Sequence, residues 1–558
     1  MAANCKFSDL PDDLLRRVLL YLPAKEGAST AVLSQRWRSL WRTSGTVNLN
    51  ASSCDDDDSK RKAFFRGAMA ALSSGRVTRL SFHMEAETLY GISSFVSYEQ
   101  GRRNLIHDVI ANNIPATTRH VQQLRIAGVA RNLAYCKTGG YYSLSFNALL
   151  LPCEALRVLH IVNAKFDRRE NKLLGATTTI SFPRLNTLQL HGCHVTIQDV
   201  RDVIHGAPQL ATVRLESIHI KSCDEDSSFS TNGCQIRGQE VTALVITDWT
   251  VYGYVRAEIV SIEFDMPKLR YFRFDGVLYD QLVSLKSCVP NVPRVDFHFK
   301  DTVCDADKAF LPSFWNLLGN LTSAKFLKLK VDRPLDHVAV VNVERLDELL
   351  DNKLLYNLER LEAEGCYEHA NNAAGHAIGN LLHCCPMLRD LRLKINNETG
   401  HGYMSYDSAR QLQFQDFDMS VKNFRRHRGT SGSNKVDKYD EVPHHIHGLS
   451  EQIFNCLQSH LTRLSLQLRN EEEGFFDVQL VKFFAENAMV LEQVHIDDGN
   501  RKMRDHLNDM FRRWALNSAE RINVHKALQQ GVEFMKKRAR EVASTGDELL
   551  VAPRRRMT

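Results

Sequence analysis

The residues in this chain that could carry chemistry are few, and none of them forms a recognised catalytic pattern. His444, His445 and His447 have side chains that bind divalent metals, but a histidine group in a polar surface loop is the favoured interpretation. The four consecutive aspartates at 55–58 lack the glycine and the late glutamate of a calcium-binding loop. No His-Glu-x-x-His or Gly-x-Ser-x-Gly sequence occurs. We therefore predict no catalytic residues, no metal site and no cofactor.

The composition limits the class of protein further. The 558 residues are 43% hydrophobic and 25% charged, as in ordinary globular protein, and the net charge is only +5. No apolar stretch approaches the roughly 18 residues needed to cross a bilayer, which argues against a transmembrane transporter. The first residues predict no cleaved secretion signal. The 13 cysteines include no Cys-x-x-Cys pair, so a structural zinc site is not expected. We expect the protein in the nucleus, the cytoplasm or both.

A relaxed Leu-x-x-Leu-x-Leu pattern repeats along most of the chain. In a β-strand alternate residues point to opposite faces, so the last two apolar positions of each copy enter a core together. Between residues 121 and 388 the copies follow one another at intervals of 23 to 35 residues. The copies begin at Val77, Val121, Leu156, Leu185, Leu210, Val241, Leu269, Val292, Ala324, Leu358, Leu388, Leu461 and Leu491.

This pattern resembles the leucine-rich repeat. In that family a Cys or Asn follows three residues after the third apolar position, and Cys193, Cys366 and Asn396 stand there. Ile218 and Trp249 occupy the position in two other copies, so the repeats are degenerate. The resemblance implies an α/β solenoid with a parallel sheet on its concave face and helices or loops on the other.

The residues that alternate with the buried positions form the polar face of these strands. They combine both signs of charge with an aromatic side chain, which suits recognition of a protein surface, although a merely solvated face has the same composition. We predict that this face binds a target protein, at Arg214, Glu216, Tyr271, Arg273, Asp275, His298, Lys328, Arg360 and Arg392.

The first forty residues predict three short helices. Apolar residues recur at helical spacing from Leu14 to Leu22, and Pro11 and Pro23 stand where a helix begins and ends. The spacing Leu-Pro-x-x-Leu-Leu-x-x-Val-Leu-x-x-Leu-Pro, followed by Ser-x-x-Trp-x-x-Leu-Trp, closely resembles the F-box of plant F-box proteins. In that family the motif docks on the Skp-type adaptor of a cullin-based ubiquitin ligase. The resemblance implies that the adaptor-binding residues are Leu10, Pro11, Leu14, Leu15, Val18, Leu22, Pro23 and Trp37. Within this set, Trp37 is expected to pack the bundle.

Residues 478–499 predict an amphipathic helix and a last strand, and they resemble the FBD element that follows the repeats in many plant F-box proteins. The Gly- and Ser-rich segment 429–435 lacks the Gly-Lys-Ser/Thr ending of a phosphate-binding loop and is expected in a polar insertion. The predicted organisation is an F-box at 6–46, a linker and first repeat helix at 47–76, leucine-rich repeats at 77–396, a polar insertion loop at 397–448, last repeats and an FBD-like cap at 449–525, and a basic tail at 526–558.

By family, such a chain is the substrate-recognition subunit of an SCF (Skp-cullin-F-box) ubiquitin ligase and performs no bond chemistry itself. The implied partners are the Skp-type adaptor, cullin through that adaptor, and an unidentified target protein, with no membrane. An alternative is a nuclear scaffold or nucleic-acid-binding protein acting through the basic tail, and a leucine-rich hormone or metabolite sensor also stays open. The tail resembles a bipartite nuclear import signal, and this interpretation is favoured over contact with nucleic acid. The basic residues of the signal are Lys536, Lys537, Arg538, Arg540, Arg554, Arg555 and Arg556.

Overall fold

The structure is a computed structural model, in which the described residues are 10–51, 63, 66–68, 70–72, 77–86, 120–130, 144–146, 154–166, 181–221, 234–252, 262–278, 283–286, 292–300, 307–367, 373–397, 445–469, 476–497 and 508–518. The chain divides into two compact units, Met1–Arg333 with Asn342–Leu358 and Pro334–Val341 with Glu359–Thr558. Much of the predicted linker at 47–76, most of the predicted loop at 397–448 and the whole predicted tail lie outside the described residues. Among the helices of the described part, none is long and apolar enough to span a membrane.

Three helices open the first unit, as the sequence predicts. They are α1 (Asp12–Tyr21), α2 (Ala24–Thr30) and α3 (Gln35–Thr43). Pro11 and Pro23 stand directly before α1 and α2, where a missing N–H costs nothing. At the start of α3 the Ser34 hydroxyl oxygen accepts a hydrogen bond from the Trp37 amide at 3.2 Å. Four side chains form the buried core of this bundle: Leu15, Leu19, Trp37 and Leu40.

A parallel strand follows the three helices almost at once. Strand β1 (Thr46–Ala51) pairs with β2 (Arg79–Ala86), and Gly45, with φ of +64°, turns the chain between α3 and β1. Strand β1 lies where the sequence predicted a linker, because its two inward residues, Val47 and Leu49, are too few to form a recognisable apolar pattern. The helical bundle and the sheet are therefore joined by two residues.

The side chain of Asn48 in β1 holds the end of α1 against the sheet. Its amide donates hydrogen bonds to the carbonyl oxygens of Leu20 and Leu22 at 2.8 and 3.0 Å. The last carbonyls of a helix have no partner within the helix, so this side chain satisfies two groups that would otherwise need water.

The other strands of the first unit are short and parallel. In chain order they are β3 (Gln123–Ala130), β4 (Leu144–Phe146), β5 (Val158–Val162), β6 (Ala164–Phe166), β7 (Thr187–His191), β8 (His194–Val195), β9 (Thr212–Glu216), β10 (His219–Lys221), β11 (Cys234–Arg237), β12 (Ala243–Thr247), β13 (Thr250–Tyr252), β14 (Ile262–Asp265), β15 (Tyr271–Gly276), β16 (Val283–Leu285), β17 (Arg294–Phe299) and β18 (Phe326–Pro334). The main sheet has the order β1-β2-β3-β5-β7-β9-β12-β15-β17-β18, so it grows by one strand at a time along the chain.

Two rows of buried side chains run across this main sheet. Phe272 and Phe274 in β15, for example, lie opposite Val295 and Phe297 in β17, and all four are at most 2% exposed. Each copy of the sequence pattern from Val77 to Ala324 places its last two apolar residues in these rows. The predicted α/β class is confirmed: three N-terminal helices precede a mostly parallel sheet whose strands coincide with the repeated pattern.

A residue in the left-handed conformation turns the chain at the end of several strands of the main sheet. Each of these residues donates its backbone N–H to a carbonyl near the end of the following strand, as Ser217 does to Thr247 at 2.7 Å. Gly192 has a second requirement, because a Cβ there would lie 2.0 Å from the side-chain oxygen of Asn163. The turning residues have φ between +50° and +61°: Asn163, Gly192, Ser217 and Asp248.

The residue after each turn fills the position where the repeat pattern predicts Cys or Asn. Cys193 is fully buried, and its thiol donates to the Ile161 carbonyl at a sulfur-to-oxygen distance of 3.6 Å. Ile218 and Trp249 occupy the same position and are also buried. Packing against the turn therefore needs an inward side chain here, and a large apolar one serves as well as cysteine.

Shorter elements follow the turns. One sheet has the order β13-β10-β8-β6-β4 and another the order β11-β14-β16. After the N-terminal bundle this unit has helical residues at 66–68 and 70–72, within the predicted first repeat helix, and the helices α4 (Ile197–His205), α5 (Asp307–Gly319) and α6 (Val343–Leu349). Helix α5 contributes Phe314 and Trp315, which are fully buried with their rings 5.0 Å apart and perpendicular.

The second unit has four parallel strands, β19 (Arg360–Tyr367), β20 (Asp390–Asn397), β21 (Arg463–Arg469) and β22 (Gln493–Asp497), paired in chain order. It also contains a 3₁₀ helix (Leu335–Val338), α7 (Ala373–Cys384), α8 (Asn455–Ser459), α9 (Phe476–Asn487) and a helix at 508–518. In α9, within the predicted FBD-like segment, Leu480 and Phe484 are fully buried. The amphipathic helix predicted at this place is thus packed on its apolar side.

The stacked histidines His194 and His219 make the first unit sensitive to acid. Their rings lie 4.6 Å apart, and burial, followed by the charges of His219 and Lys165, lowers the pKa of His194 to about 4 from 6.5. The unfolded chain takes up this proton as the pH falls below about 6.5, while the folded protein does not. We expect the free energy of unfolding to fall by about 1–2 kcal/mol at pH 5 through this residue.

Urea denaturation of the wild type and of His194→Phe at pH 7 and pH 5 measures this effect. The variant should lose less stability between the two pH values, because it has no imidazole to protonate at this position. His495→Phe, at an exposed histidine, is the matched control and should keep the wild-type pH dependence. An equal loss of stability in the wild type and His194→Phe would contradict the assignment.

Candidate functional site

The outer face of the three N-terminal helices is the first candidate surface. Leu14 in α1 is 44% exposed, and Pro11, directly before the helix, is also exposed. Arg36 fixes this turn by donating to the Leu10 carbonyl at 2.7 Å and to the Asp12 carboxylate at 2.8 Å. The apolar side chains at the start of α1 are therefore held on an ordered backbone and directed to solvent.

The predicted adaptor contacts divide into core and surface residues. Leu15 is fully buried and Trp37 is 6% exposed, so both side chains stabilise the bundle from inside. A contact role for Leu15 was expected from its place in the motif, but its side chain points into the core because helical spacing puts it beside Leu19. The remaining predicted contacts are exposed or half-buried: Leu10, Pro11, Leu14, Val18, Leu22 and Pro23.

Three further exposed apolar residues of the bundle were not identified from the sequence. Val32 is 86% exposed and Leu33 is 69% exposed, in the turn between α2 and α3, and Tyr21 at the end of α1 is 79% exposed. Helix α2 ends at Thr30, so Val32 and Leu33 lie beyond its last turn. Large apolar side chains with no intramolecular cover are typical of a partner-binding surface.

The second candidate surface is the polar face of β15, β17 and β18. Register places Asp275 opposite His298, and Asp275 contacts Nη2 of Arg273 at 3.0 Å, Nδ1 of His298 at 3.3 Å and Nζ of Lys300 at 3.0 Å. On its other side the His298 ring contacts Asp332 through Nε2 at 2.8 Å. We refer to Arg273, Asp275, His298, Lys300 and Asp332 as the charged cluster. Three of its five members were predicted as target-binding residues, and register brings these three together.

Asp275 is the centre of the charged cluster. Its side chain is 12% exposed, and burial by itself opposes ionisation. The hydrogen bonds from Lys300 and Arg273 and the charge of His298 outweigh burial and lower the pKa of Asp275 below its ordinary value. The carboxylate therefore stays ionised and binds neighbouring cations in a fixed arrangement.

Tyr271 lies one row away on the same face. Its hydroxyl donates to the Asp296 carboxylate at 2.8 Å, and Arg294 both contacts that carboxylate at 3.2 Å and lies 5.7 Å from the centre of the Tyr271 ring. Burial, followed by the hydrogen bond to Asp296, raises the pKa of Tyr271. The aromatic ring is thus held in one orientation, as a contact surface for a partner requires.

The other predicted target-binding residues of this unit differ in how they are paired. Glu216 contacts Nδ1 of His191 at 3.5 Å. Arg214 and Lys328 are exposed and make no ion pair within the described part of the chain. These two cations can bind a carboxylate of a partner without first breaking an internal contact.

The second unit carries its own charged face. Arg360 in β19 contacts Asp390 in β20 at 2.8 Å, and Arg392 contacts Asp390 at 3.4 Å and Glu362 at 3.3 Å. Lys394 contacts Glu364 at 3.2 Å. Both predicted target-binding residues of this unit, Arg360 and Arg392, therefore belong to one chain of ion pairs.

The predicted histidine group is placed in part. His445 and His447 each contact a carboxylate oxygen of Glu451 at 3.4 Å, and all three side chains are exposed, while His444 lies outside the described residues. The ion pairs account for the arrangement of these side chains. The sequence-based expectation of a surface histidine group without a metal stays a prediction.

Comparison with known proteins identifies the N-terminal bundle. Residues 7–46 match the F-box domain, which generally binds Skp-type adaptors, and F-box proteins are typically non-catalytic subunits. The chain is 27% identical over 327 residues to the meiotic F-box protein MOF of Oryza sativa subsp. japonica, covering 58% of this chain and 59% of that protein. It is 24% identical over 303 residues to a putative F-box/FBD/LRR-repeat protein of Arabidopsis thaliana, covering 53% and 59% of the two chains.

A putative F-box/LRR-repeat protein of Arabidopsis thaliana is 22% identical to the chain over 353 residues, with 59% of each chain covered. The chain thus matches about three fifths of the length of these curated relatives. The resemblance to plant F-box, FBD and leucine-rich-repeat proteins drawn from the motifs is confirmed at modest identity.

The charged cluster makes a prediction about stability. Asp275→Asn keeps the shape of the side chain but removes the charge that Arg273, His298 and Lys300 surround. We expect the free energy of unfolding to fall by about 1–2 kcal/mol, because a nearly buried carboxylate that several partly exposed side chains contact loses its charge, and solvent screens part of each contact. Urea denaturation measures the change.

Asp351→Asn is the matched control, because its carboxylate pairs with Lys353 while its side chain is 80% exposed. An exposed pair of this kind contributes little to stability, so the control should denature like the wild type. If Asp275→Asn also denatures like the wild type, the cluster is not a structural centre of this face.

Proposed function

We propose that this chain is the substrate-recognition subunit of an SCF (Skp-cullin-F-box) ubiquitin ligase, which binds a Skp-type adaptor through its F-box and a target protein through the polar faces of its strands. The observation that carries the proposal is the match of residues 7–46 to the F-box domain, in a bundle that exposes Leu14, Val32 and Leu33. Such a subunit performs no bond chemistry. It accelerates ubiquitin transfer by raising the local concentration of target lysines near the ubiquitin-carrying enzyme.

The adaptor-binding role rests on the exposed apolar side chains of the bundle. Burying them against a partner removes apolar surface from water, which favours association by roughly 25 cal/mol per Å². Adaptor binding through Leu14, Val32 and Leu33 leaves Leu15 and Trp37 in the core, where they keep the three helices in place. Cullin is then a partner through the adaptor and not by direct contact.

The target-binding role rests on the polar faces of the two units, taken one at a time. In the first unit the charged cluster and Tyr271 offer fixed hydrogen-bonding groups, and Arg214 and Lys328 offer cations that pair with no carboxylate among the described residues. In the second unit Arg360 and Arg392 offer a paired charge pattern. Such surfaces select partners by matching charge positions more than by bulk hydrophobicity.

Substitutions at the bundle test the adaptor role. Leu14→Asp, and the double change Val32→Asp with Leu33→Asp, put charges on exposed apolar positions and should abolish capture of a purified plant Skp-type adaptor. The helical circular dichroism should stay as in the wild type, because none of the three side chains lies in the bundle core. Leu15→Ala should instead lower the stability of the bundle by about 2–5 kcal/mol.

Ile453→Asp is the matched control, because Ile453 is 88% exposed and lies in the other unit. It introduces the same charge on an exposed apolar residue and should leave adaptor capture unchanged. Adaptor capture that survives both bundle variants would refute the proposed role of the F-box surface.

We also propose nuclear entry through the basic tail, whose residues lie outside the described part. The motivating pattern is the two basic groups at 536–540 and 554–556. A fluorescent fusion of the full chain should concentrate in the nucleus, and changing Lys536, Lys537, Arg538 and Arg540 to alanine should shift it to the cytoplasm. A fusion that distributes identically with and without these changes would remove the tail from the proposal.

A further inference from the structure

A cavity of about 280 Å³ lies on the polar face of the first unit, beside the end of the F-box. Its floor is formed by the outward residues of β1, β2, β3, β5 and β7, and one wall is formed by Leu20, Tyr21 and Pro23. Nothing in the adaptor-binding or target-binding roles requires this cavity. Its volume is near the lower end of the range of about 300–1,000 Å³ found for small-molecule sites.

The lining of this cavity is positively charged. The described residues that line it include two arginines, Arg79 and Arg125, and two histidines, His83 and His160, and none of these described residues is a carboxylate. Neither arginine makes an ion pair with any residue that the structure describes. The charged cluster on β15, β17 and β18 is the opposite case, because there each cation contacts an aspartate.

The state of His160 agrees with this local excess of positive charge. Burial, followed by the charges of Arg125 and His191, lowers the pKa of His160, and the charge of Glu216 opposes them with a smaller effect. Glu216 already contacts His191 at 3.5 Å and does not line the cavity. The two guanidinium groups are therefore the permanent positive charges of the described lining.

The cavity is also rich in neutral hydrogen-bonding groups. Ser81, Gln123 and Gln189 line it with a hydroxyl and two amides, which can donate to an oxygen of a ligand. The helix dipole of α1 opposes the binding of an anion in the cavity. Its negative end, equivalent to about half an elementary charge, lies beside the wall formed by Leu20 and Tyr21. Asn48 reduces this effect by donating to the carbonyls of Leu20 and Leu22, and two guanidinium groups exceed what is left.

We propose that this cavity is a binding site for a small phosphate-bearing molecule, held by the guanidinium groups of Arg79 and Arg125. A phosphate monoester has a charge of about −1.5 to −2 at neutral pH, which matches two arginines better than the single charge of a carboxylate does. Guanidinium and phosphate groups form paired, charge-assisted hydrogen bonds. A ligand here would lie between the F-box and the first strands of the sheet, in a position separate from the charged cluster.

Binding of inorganic phosphate, pyrophosphate and citrate to the full chain, measured by isothermal titration calorimetry, tests the site. Pyrophosphate should bind at millimolar or lower concentration and more tightly than citrate. Arg79→Gln and Arg125→Gln should each weaken pyrophosphate binding by about tenfold or more, which is one lost charge-assisted contact. Because neither arginine makes an ion pair with a residue that the structure describes, both variants should unfold at the wild-type temperature in the absence of ligand.

Arg184→Gln is the matched control, because Arg184 is exposed, has no ion pair in the described part and does not line the cavity. It should bind pyrophosphate like the wild type, and all three variants should still capture the Skp-type adaptor. Three results would each overturn the site: no binding of pyrophosphate up to about 10 mM, equal weakening by Arg184→Gln, or binding only to a phosphoserine peptide. Loss of adaptor capture alone would instead count against the proposed role of the F-box.

Discussion

The in-register stacking of parallel strands is the constraint on which the first unit depends. Each strand adds two buried residues to the same two rows, so a strand such as β15 is fixed by Phe272 and Phe274 against its neighbours on both sides. A shift by one residue would turn every buried side chain to the polar face. The left-handed turning residues and the inward side chains after them follow from the same constraint, because the chain must leave each strand at an equivalent point.

Features that depend on the spacing of residues along the chain could be predicted from the sequence. Features that depend on which elements pack against one another could not. The repeated pattern located the strands because alternation within a strand is local, and it also identified Arg273, Asp275 and His298 as members of one face. Their contact needed the register of β15 and β17, which the sequence does not state. Leu15 was assigned by its place in a motif, while its burial is decided by the packing of α1 on α3. Val32 and Leu33 are exposed because α2 ends at Thr30, and helix ends are difficult to predict from sequence.

The polar face of the first unit is divided by how its charges are satisfied. In the charged cluster the charged side chains already contact one another. A protein that binds there is therefore oriented by the cluster but gains little net electrostatic attraction from it. Near the F-box Arg79 and Arg125 make no ion pair within the described part of the chain, so an incoming anion would not have to break such a pair there. One sheet face can in this way hold two kinds of recognition, and the difference between them comes from where aspartates occur in the outward rows.

Strand β1 has a consequence for how the F-box can be separated from the rest of the chain. A cut placed after residue 51 would remove β1 together with the helices and leave β2 as the outermost strand of the sheet. Its backbone N–H and C=O groups would then be open to pairing with another chain, and the apolar side chains of Leu80 and Phe82 would lose their cover. The strand thus protects the sheet from self-association, and any exchange of F-boxes between such proteins has to carry residues 46–51 along with the sheet.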